Sequence, residues 1–111
     1  MANDPNIFDN LRLELRRGLL IVAVLAQLRR EHYGYTLRKD LAALGIEIDE
    51  GTLYPLLRRL ESQGLLQSDW RIADEARPRR YYVISPQGKA VLAKLKREWS
   101  TMAETMKQML A

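Results

Sequence analysis

The stretch GTLYPLLRRLESQGLL, Gly51 to Leu66, decides the fold. Leu53, Leu56, Leu57 and Leu60 recur at i, i+3, i+4 and i+7, the spacing of one buried helical face. Tyr54, Arg58 and Arg59 then point away from the leucines. Pro55 stands in the second turn, where helix interiors normally exclude proline at a cost of roughly 3 kcal/mol. It leaves the Gly51 carbonyl without its usual donor and offers a rigid apolar face beside Tyr54. Asp49 is placed to cap this helix and Gly64 to end it.

Outward from this helix, the order of elements reads helix, helix, helix, hairpin, helix. The first helix is expected from about Asp9, as its cap, to about Glu31, with Phe8, Leu11, Leu15, Leu19, Val22 and Ala26 on one face. His32-Tyr33-Gly34 breaks it. A second helix follows from about Tyr35 to Leu44, burying Leu37, Leu41 and Leu44, with Gly45 as its stop. Leu65 to Ile72 and Arg79 to Ser85 read as strands joined through Ala73 to Pro78. Ser85-Pro86 opens the last helix, serine as cap and proline in the first turn. The expected fold is mainly α with a small β-hairpin. It is a winged helix-turn-helix over residues 1–85, followed by a long C-terminal dimerisation helix over residues 86–111.

In a winged helix-turn-helix the third helix is the one offered to a DNA major groove, and the hairpin lies over adjacent backbone. The N-terminus of that helix carries free N–H groups that suit a phosphate. Thr52 and Tyr54 hydroxyls can reach phosphate oxygens, and Gly51 lets backbone approach backbone. Arg58 is the candidate for a bidentate guanine contact, with Arg59 beside it. Tyr35 and Lys39 on the second helix join the same candidate surface. On the wing, Arg77, Arg79 and Arg80 crowd within four residues beside Tyr81 and Tyr82, a suitable phosphate clamp. The plainer reading makes Arg58 and Arg59 solvated helix charges and the wing a solubilising turn paired with Asp74 and Glu75.

Bulk composition limits the alternatives. The chain has 111 residues, 47% of them hydrophobic, no cysteine and a net charge of +4. One domain with a modest core is expected, without disulfides, in a reducing cytoplasm. The longest apolar run, Gly18 to Leu28, is 11 residues, half of what a membrane span needs. Between Gly34 and Gly88 eight basic residues meet eight acidic ones, so net charge there establishes no nucleic-acid surface. One histidine, His32, has no second metal ligand at matching spacing, and neither metal nor cofactor is expected. No nucleophile, glycine-rich phosphate loop or paired carboxylates can be assigned, which argues against an enzyme.

The sequence resembles the PadR family of bacterial transcriptional regulators. The resemblance is carried by Tyr33-Gly34-Tyr35, Gly51-Thr52-Leu53-Tyr54-Pro55, Arg59-Leu60-Glu61, Gly64-Leu65, Arg79-Arg80-Tyr81-Tyr82 and Pro86 with Gly88. It runs from about Leu15 to the C-terminus, and the length resembles the short subfamily with a single dimerising helix. The resemblance implies a dimeric repressor that binds an inverted-repeat DNA operator and is released by a small molecule. The family's wing usually carries a glycine near its tip, where this chain has Ala76-Arg77-Pro78.

In the last helix Leu92, Leu95, Trp99, Met102, Met106 and Met109 follow at steps of 3, 4, 3, 4 and 3, an a/d seam. A helix this apolar on one side needs another to cover it. A symmetric homodimer is expected, its interface built from this seam with Phe8 and Leu11. Trp99 also resembles a tryptophan that lines a chamber between subunits in short members of the family, where flat aromatic compounds stack. Leu95, Met102, Leu15 and Leu19 would complete such a site for a planar aromatic effector. Ordinary interface packing explains Trp99 equally well. Trp70 is expected to pack the base of the wing. A winged-helix dimer that binds proteins or small molecules without an operator of its own remains the alternative function.

Overall fold

The computed structural model describes residues 5–72 and 77–111. Among the described residues four helices, α1 (Ile7–Gln27), α2 (Gly34–Ala43), α3 (Glu50–Ser62) and α4 (Pro86–Leu110), surround a small antiparallel sheet. Its strands β1 (His32–Tyr33), β2 (Leu66–Arg71) and β3 (Arg79–Ile84) lie in the order β1-β3-β2. The tip of the hairpin, with Asp74, Glu75 and their expected pairing to the wing arginines, lies outside the described residues.

Local chemistry sets the helix ends. Asp49 accepts a hydrogen bond from the Thr52 N–H at 2.8 Å and so starts α3. Ser85 accepts one from Gly88 N–H at 2.9 Å and so starts α4. Both α2 and α3 stop on a left-handed glycine, Gly45 at φ +86° and Gly64 at φ +81°. The Gly45 N–H donates to Ala42 O and that of Ile46 to Leu41 O, while Gly64 and Leu65 repeat the pattern onto Glu61 and Leu60. These paired bonds satisfy carbonyls that a helix end leaves open.

Two boundaries of α1 differ from expectation. The helix begins two residues before Asp9, which lies in the first turn and pairs with Arg12 at 3.4 Å, while Asn6 occupies the cap position. It ends at Gln27 because His32 and Tyr33 are drawn away as a strand against Tyr82 and Tyr81. A two-residue strand has too little alternation to be visible in sequence, so His32 and Tyr33 looked like a plain turn.

The core is made by Val24, Leu25 and Leu28 with Leu37, Leu41, Leu53, Leu57, Leu60, Leu66, Tyr82 and Ile84. Three of the four expected leucines of α3 are fully buried and Leu56 is half-buried against them. Leu44, expected inside, is exposed, because the chain turns at Gly45 and Ile46 packs against the core in its place. On α1 the buried side is the one carrying Val24 and Leu25. The opposite stripe, Phe8, Leu11, Leu15 and Leu19, is left bare.

Candidate nucleic-acid interface

The outward ridge of α3 consists of Gly51, Thr52, Pro55, Arg58 and Arg59, all exposed. It divides into two flanks. Thr52, Pro55 and Arg59 border a concavity shared with Arg17, Leu20 and Ile21 of α1. Arg58 borders a second one, on the wing side, with Trp70, Arg79 and Tyr82. Pro55 therefore leans toward the first helix, away from the aromatic residues of the wing. The helix runs unbroken through it.

Tyr54 is the departure from the expected outward set. It is half-buried and packs against the core. Its ring covers Gly34 so closely that a methyl group there would sit 2.8 Å from Tyr54 Cζ and nearer still to the ring edge. Gly34 lies in the first turn of α2, so this contact joins the second and third helices. The Tyr-Gly-Tyr and Gly-Thr-Leu-Tyr-Pro segments are thus two halves of one contact. The glycine is required because nothing larger leaves room for the tyrosine.

Directly paired residues of β2 and β3 share a face: Leu66 with Ile84, Ser68 with Tyr82 and Trp70 with Arg80. That face is buried at its base and opens toward the tip. Arg80 is turned inward along it. Its Nη2 donates to Glu61 Oε1 at 2.6 Å and its Nε to Ser68 Oγ at 2.9 Å. The expected role of Arg80 as a phosphate clamp meets a guanidinium already engaged by α3. Trp70 does not pack the base of the wing. It stands near the tip, 65% exposed, with the Arg80 guanidinium 5.9 Å from its ring. Burial raises the Tyr82 phenol above its usual pKa, with smaller influences from Arg80 and Glu61.

The other face of the hairpin carries Asp69 and Arg71 on β2 and Arg79 and Tyr81 on β3. The Arg71 guanidinium sits 4.9 Å over Tyr81, and Arg79 sits 4.5 Å over Tyr33. Tyr33 meets Tyr81 edge-on at 5.4 Å and stacks with Tyr35 at 6.3 Å. Arg71 also grips the carboxylate of Glu31 and that of Asp69. Arg77, Arg79 and Pro78 share a depression with Tyr35 and Glu50 of the helix pair. Lys39 is exposed on α2.

Placement resolves the balance of charge that composition leaves open. Arg38 pairs with Glu50 at 3.1 Å, Arg71 with Glu31 and Asp69, and Arg80 with Glu61. Asp49 is committed to its cap, and the Thr52 hydrogen bond holds its carboxyl below the usual range. Asp40 lies 3.5 Å from His32 Nε2. Among the described residues no carboxylate pairs with Lys39, Arg58, Arg59, Arg77 or Arg79. Among the described residues, Asp40, Asp49, Glu50, Glu61 and Asp69 have partners inside the fold while these five cations have no carboxylate.

Residues 21–94 match the Transcriptional regulator PadR-like family. The chain belongs to that family. Its members are transcriptional regulators, not enzymes. Over 73 residues it is 41% identical to the transcriptional regulator Rv3488 of Mycobacterium tuberculosis, covering 66% of this chain and 67% of that protein. A PadR family transcriptional regulator from Eggerthella lenta superposes with a TM-score of 0.89 at 46% identity, covering 95% of this chain and 93% of the other. A PadR-like regulator from Bacillus cereus gives 0.78 at 28% identity, covering 87% and 96%. The likeness extends over α1 and α4 as well as the winged module.

The α1 and α4 residues occupy a different setting from the wing. Leu92 and Leu95 are half-buried against this chain's own core, so the first turns of the expected seam are already partly used. Beyond them Trp99, Met102, Met106 and Met109 are exposed, as are Leu15 and Leu19 on α1. Among the described residues no helix is long and apolar enough to cross a membrane.

Proposed function

We propose that this PadR-like regulator binds duplex DNA as a homodimer, with α3 in the major groove and the β2–β3 wing over neighbouring backbone. The observation that carries this is the set of cations with no carboxylate partner among the described residues, Lys39, Arg58, Arg59, Arg77 and Arg79, around one protruding helix. Arg58, on the outward ridge and clear of carboxylates, is the residue for a guanine edge. Gly51 and Thr52 bring the start of α3 toward phosphate, and Tyr35 and Lys39 flank it. Arg77 and Arg79 hold the adjacent backbone, and Tyr54, packed on Gly34, holds α3 against α2. Residues 1–85 form the reading module and residues 86–111 the dimerising helix.

The same reading makes the protein a cytoplasmic, ligand-released repressor at an inverted-repeat operator. The bare residues Phe8 and Leu11 on α1, and Trp99, Met102, Met106 and Met109 on α4, support a dimer seam, which Leu92 and Leu95 begin. Trp99, Leu95 and Met102 with Leu15 and Leu19 would frame a chamber for a planar aromatic effector. Titration with phenolic acids should quench tryptophan fluorescence in the wild type and not in Trp99→Ala.

Selection of bound duplexes from a random pool tests the DNA reading. One inverted repeat should be enriched, with half-sites about one helical turn apart. A dimer neutralising 6–10 phosphates should lose about 10³ to 10⁵ in affinity between 50 and 200 mM salt. Arg58→Ala should relax preference at one base position by about 1–3 kcal/mol. A protein that enriches no duplex and shows no salt-dependent binding would instead be a protein-interaction module.

A further inference from the structure

Glu61, Ser68 and Arg80 come from three different elements, α3, β2 and β3, and close a ring of hydrogen bonds. Arg80 reaches Glu61 Oε1 at 2.6 Å and Ser68 Oγ at 2.9 Å, and the Ser68 hydroxyl donates to Glu61 Oε2 at 2.5 Å. Both carboxylate oxygens and two guanidinium nitrogens are used. The Arg80 guanidinium also lies 5.4 Å from the Tyr82 ring and 5.9 Å from that of Trp70. All three polar side chains are half-buried. Tyr54, Arg58 and Glu61 stand at i, i+4 and i+7 along the wing-side flank of α3. One end of that flank is fixed on Gly34 and the other on this ring.

We infer that Glu61, Ser68 and Arg80 form the joint that sets the angle of the wing against α3, so that Arg80 is a positioning residue and not a phosphate contact. Below the ring, at its base, the hairpin is held to the body by Leu66, Tyr82 and Ile84. Above it, β2 and β3 project with mostly exposed side chains, so the ring ties this face of the hairpin to α3 beyond the apolar base, as Arg71 ties the other face to Glu31. A planar fork bound to a carboxylate fixes orientation as well as distance. With the angle fixed, Arg77 and Arg79 address the backbone beside the groove that α3 enters. The inference rests on the DNA-binding reading above.

The test compares Arg80→Gln, Glu61→Gln and Ser68→Ala on two probes at 25 °C. These are a duplex selected by the wild-type protein from a random pool and a scrambled duplex of the same length. A broken joint should lower the ratio of specific to scrambled affinity roughly tenfold in Arg80→Gln and Glu61→Gln, a coupling typical of contacting charged residues. The slope of affinity against salt should fall in both, Glu61→Gln included, because Arg77 and Arg79 lose their backbone contacts. The Glu61→Gln/Arg80→Gln double variant should be no worse than either single one. Ser68→Ala, which removes one hydroxyl, should move the ratio the same way by a smaller factor and keeps the test open if a charged variant fails to fold. A phosphate-contacting Arg80 would behave otherwise: Arg80→Gln would weaken both duplexes equally and reduce the salt slope by about 1. Glu61→Gln would then strengthen both. That result overturns the joint while leaving DNA binding intact. A wild-type protein that selects no duplex overturns the DNA reading and this inference with it.

Discussion

Leu57 on α3 and Trp99 on α4 both sit in apolar stripes at helical spacing, yet Leu57 is fully buried and Trp99 is 52% exposed. The winged module closes on itself. Its leucines meet across α1, α2 and α3, its helix ends are capped, and several of its acids are paired internally. The far ends of α1 and α4 do the reverse, presenting Phe8, Leu11, Leu15, Trp99, Met102 and Met109 to solvent. Amphipathic spacing is therefore satisfied within the chain in one region and left uncovered by it in the other. The pattern alone does not say which, because a stripe records only that something apolar must cover it.

Substitutions can break this contrast. Leu57→Ala should lower stability by about 2–5 kcal/mol, since a fully enclosed leucine leaves a cavity the fold cannot close. Urea unfolding at several protein concentrations measures it. Met102→Lys, at a side chain 51% exposed in the single chain, should leave the winged module folded but shift a dimer toward monomer in light scattering. A native-sized dimer for that variant would remove α4 from the interface. Gly34→Ala should cost about 1–3 kcal/mol, because the added methyl displaces the Tyr54 ring from a tight contact. Equal stability to wild type would show that ring to be free.

The smallest expected effect concerns pH. Asp49 is exposed and its pKa is lowered chiefly by the Thr52 hydrogen bonds, so the folded state favours the carboxylate. Its contribution is present above the unfolded value of roughly 3.9 and is lost as pH falls through the lower folded pKa. Asp49→Asn should keep the α3 cap and flatten the acid limb of the stability profile slightly. Thermal unfolding in the two proteins between about pH 2 and pH 6 reads the difference.

Much of the fold was legible because its causes are local. Asp49 and Ser85 each cap a helix from three residues away, and Gly45 and Gly64 each stop one by adopting a conformation other residues resist. The outward position of Arg58 and Arg59 followed from the leucines opposite them. The errors have a common source. Tyr54 was expected outside because periodicity describes one helix and knows nothing of Gly34, twenty residues earlier. The engagement of Arg80 by Glu61 is equally invisible to periodicity, because that partner lies nineteen residues away, on another element. Trp70 was placed at the hairpin base because its size suggests burial, whereas the register with Arg80 carries it toward the tip.

By itself, then, the amino-acid order determined where helices begin and end, which leucines turn inward on α3, and the kinship carried by the Gly51–Pro55 and Arg79–Tyr82 segments. Tertiary structure alone decided which of the described cations meet a carboxylate, which tyrosine becomes packing, and which apolar stripe the chain leaves bare. Hydrogen bonds at a cap act within one helical turn, so nearby letters are enough to encode them. Charge pairing and burial depend on which distant side chains meet, and that is settled only when the elements pack.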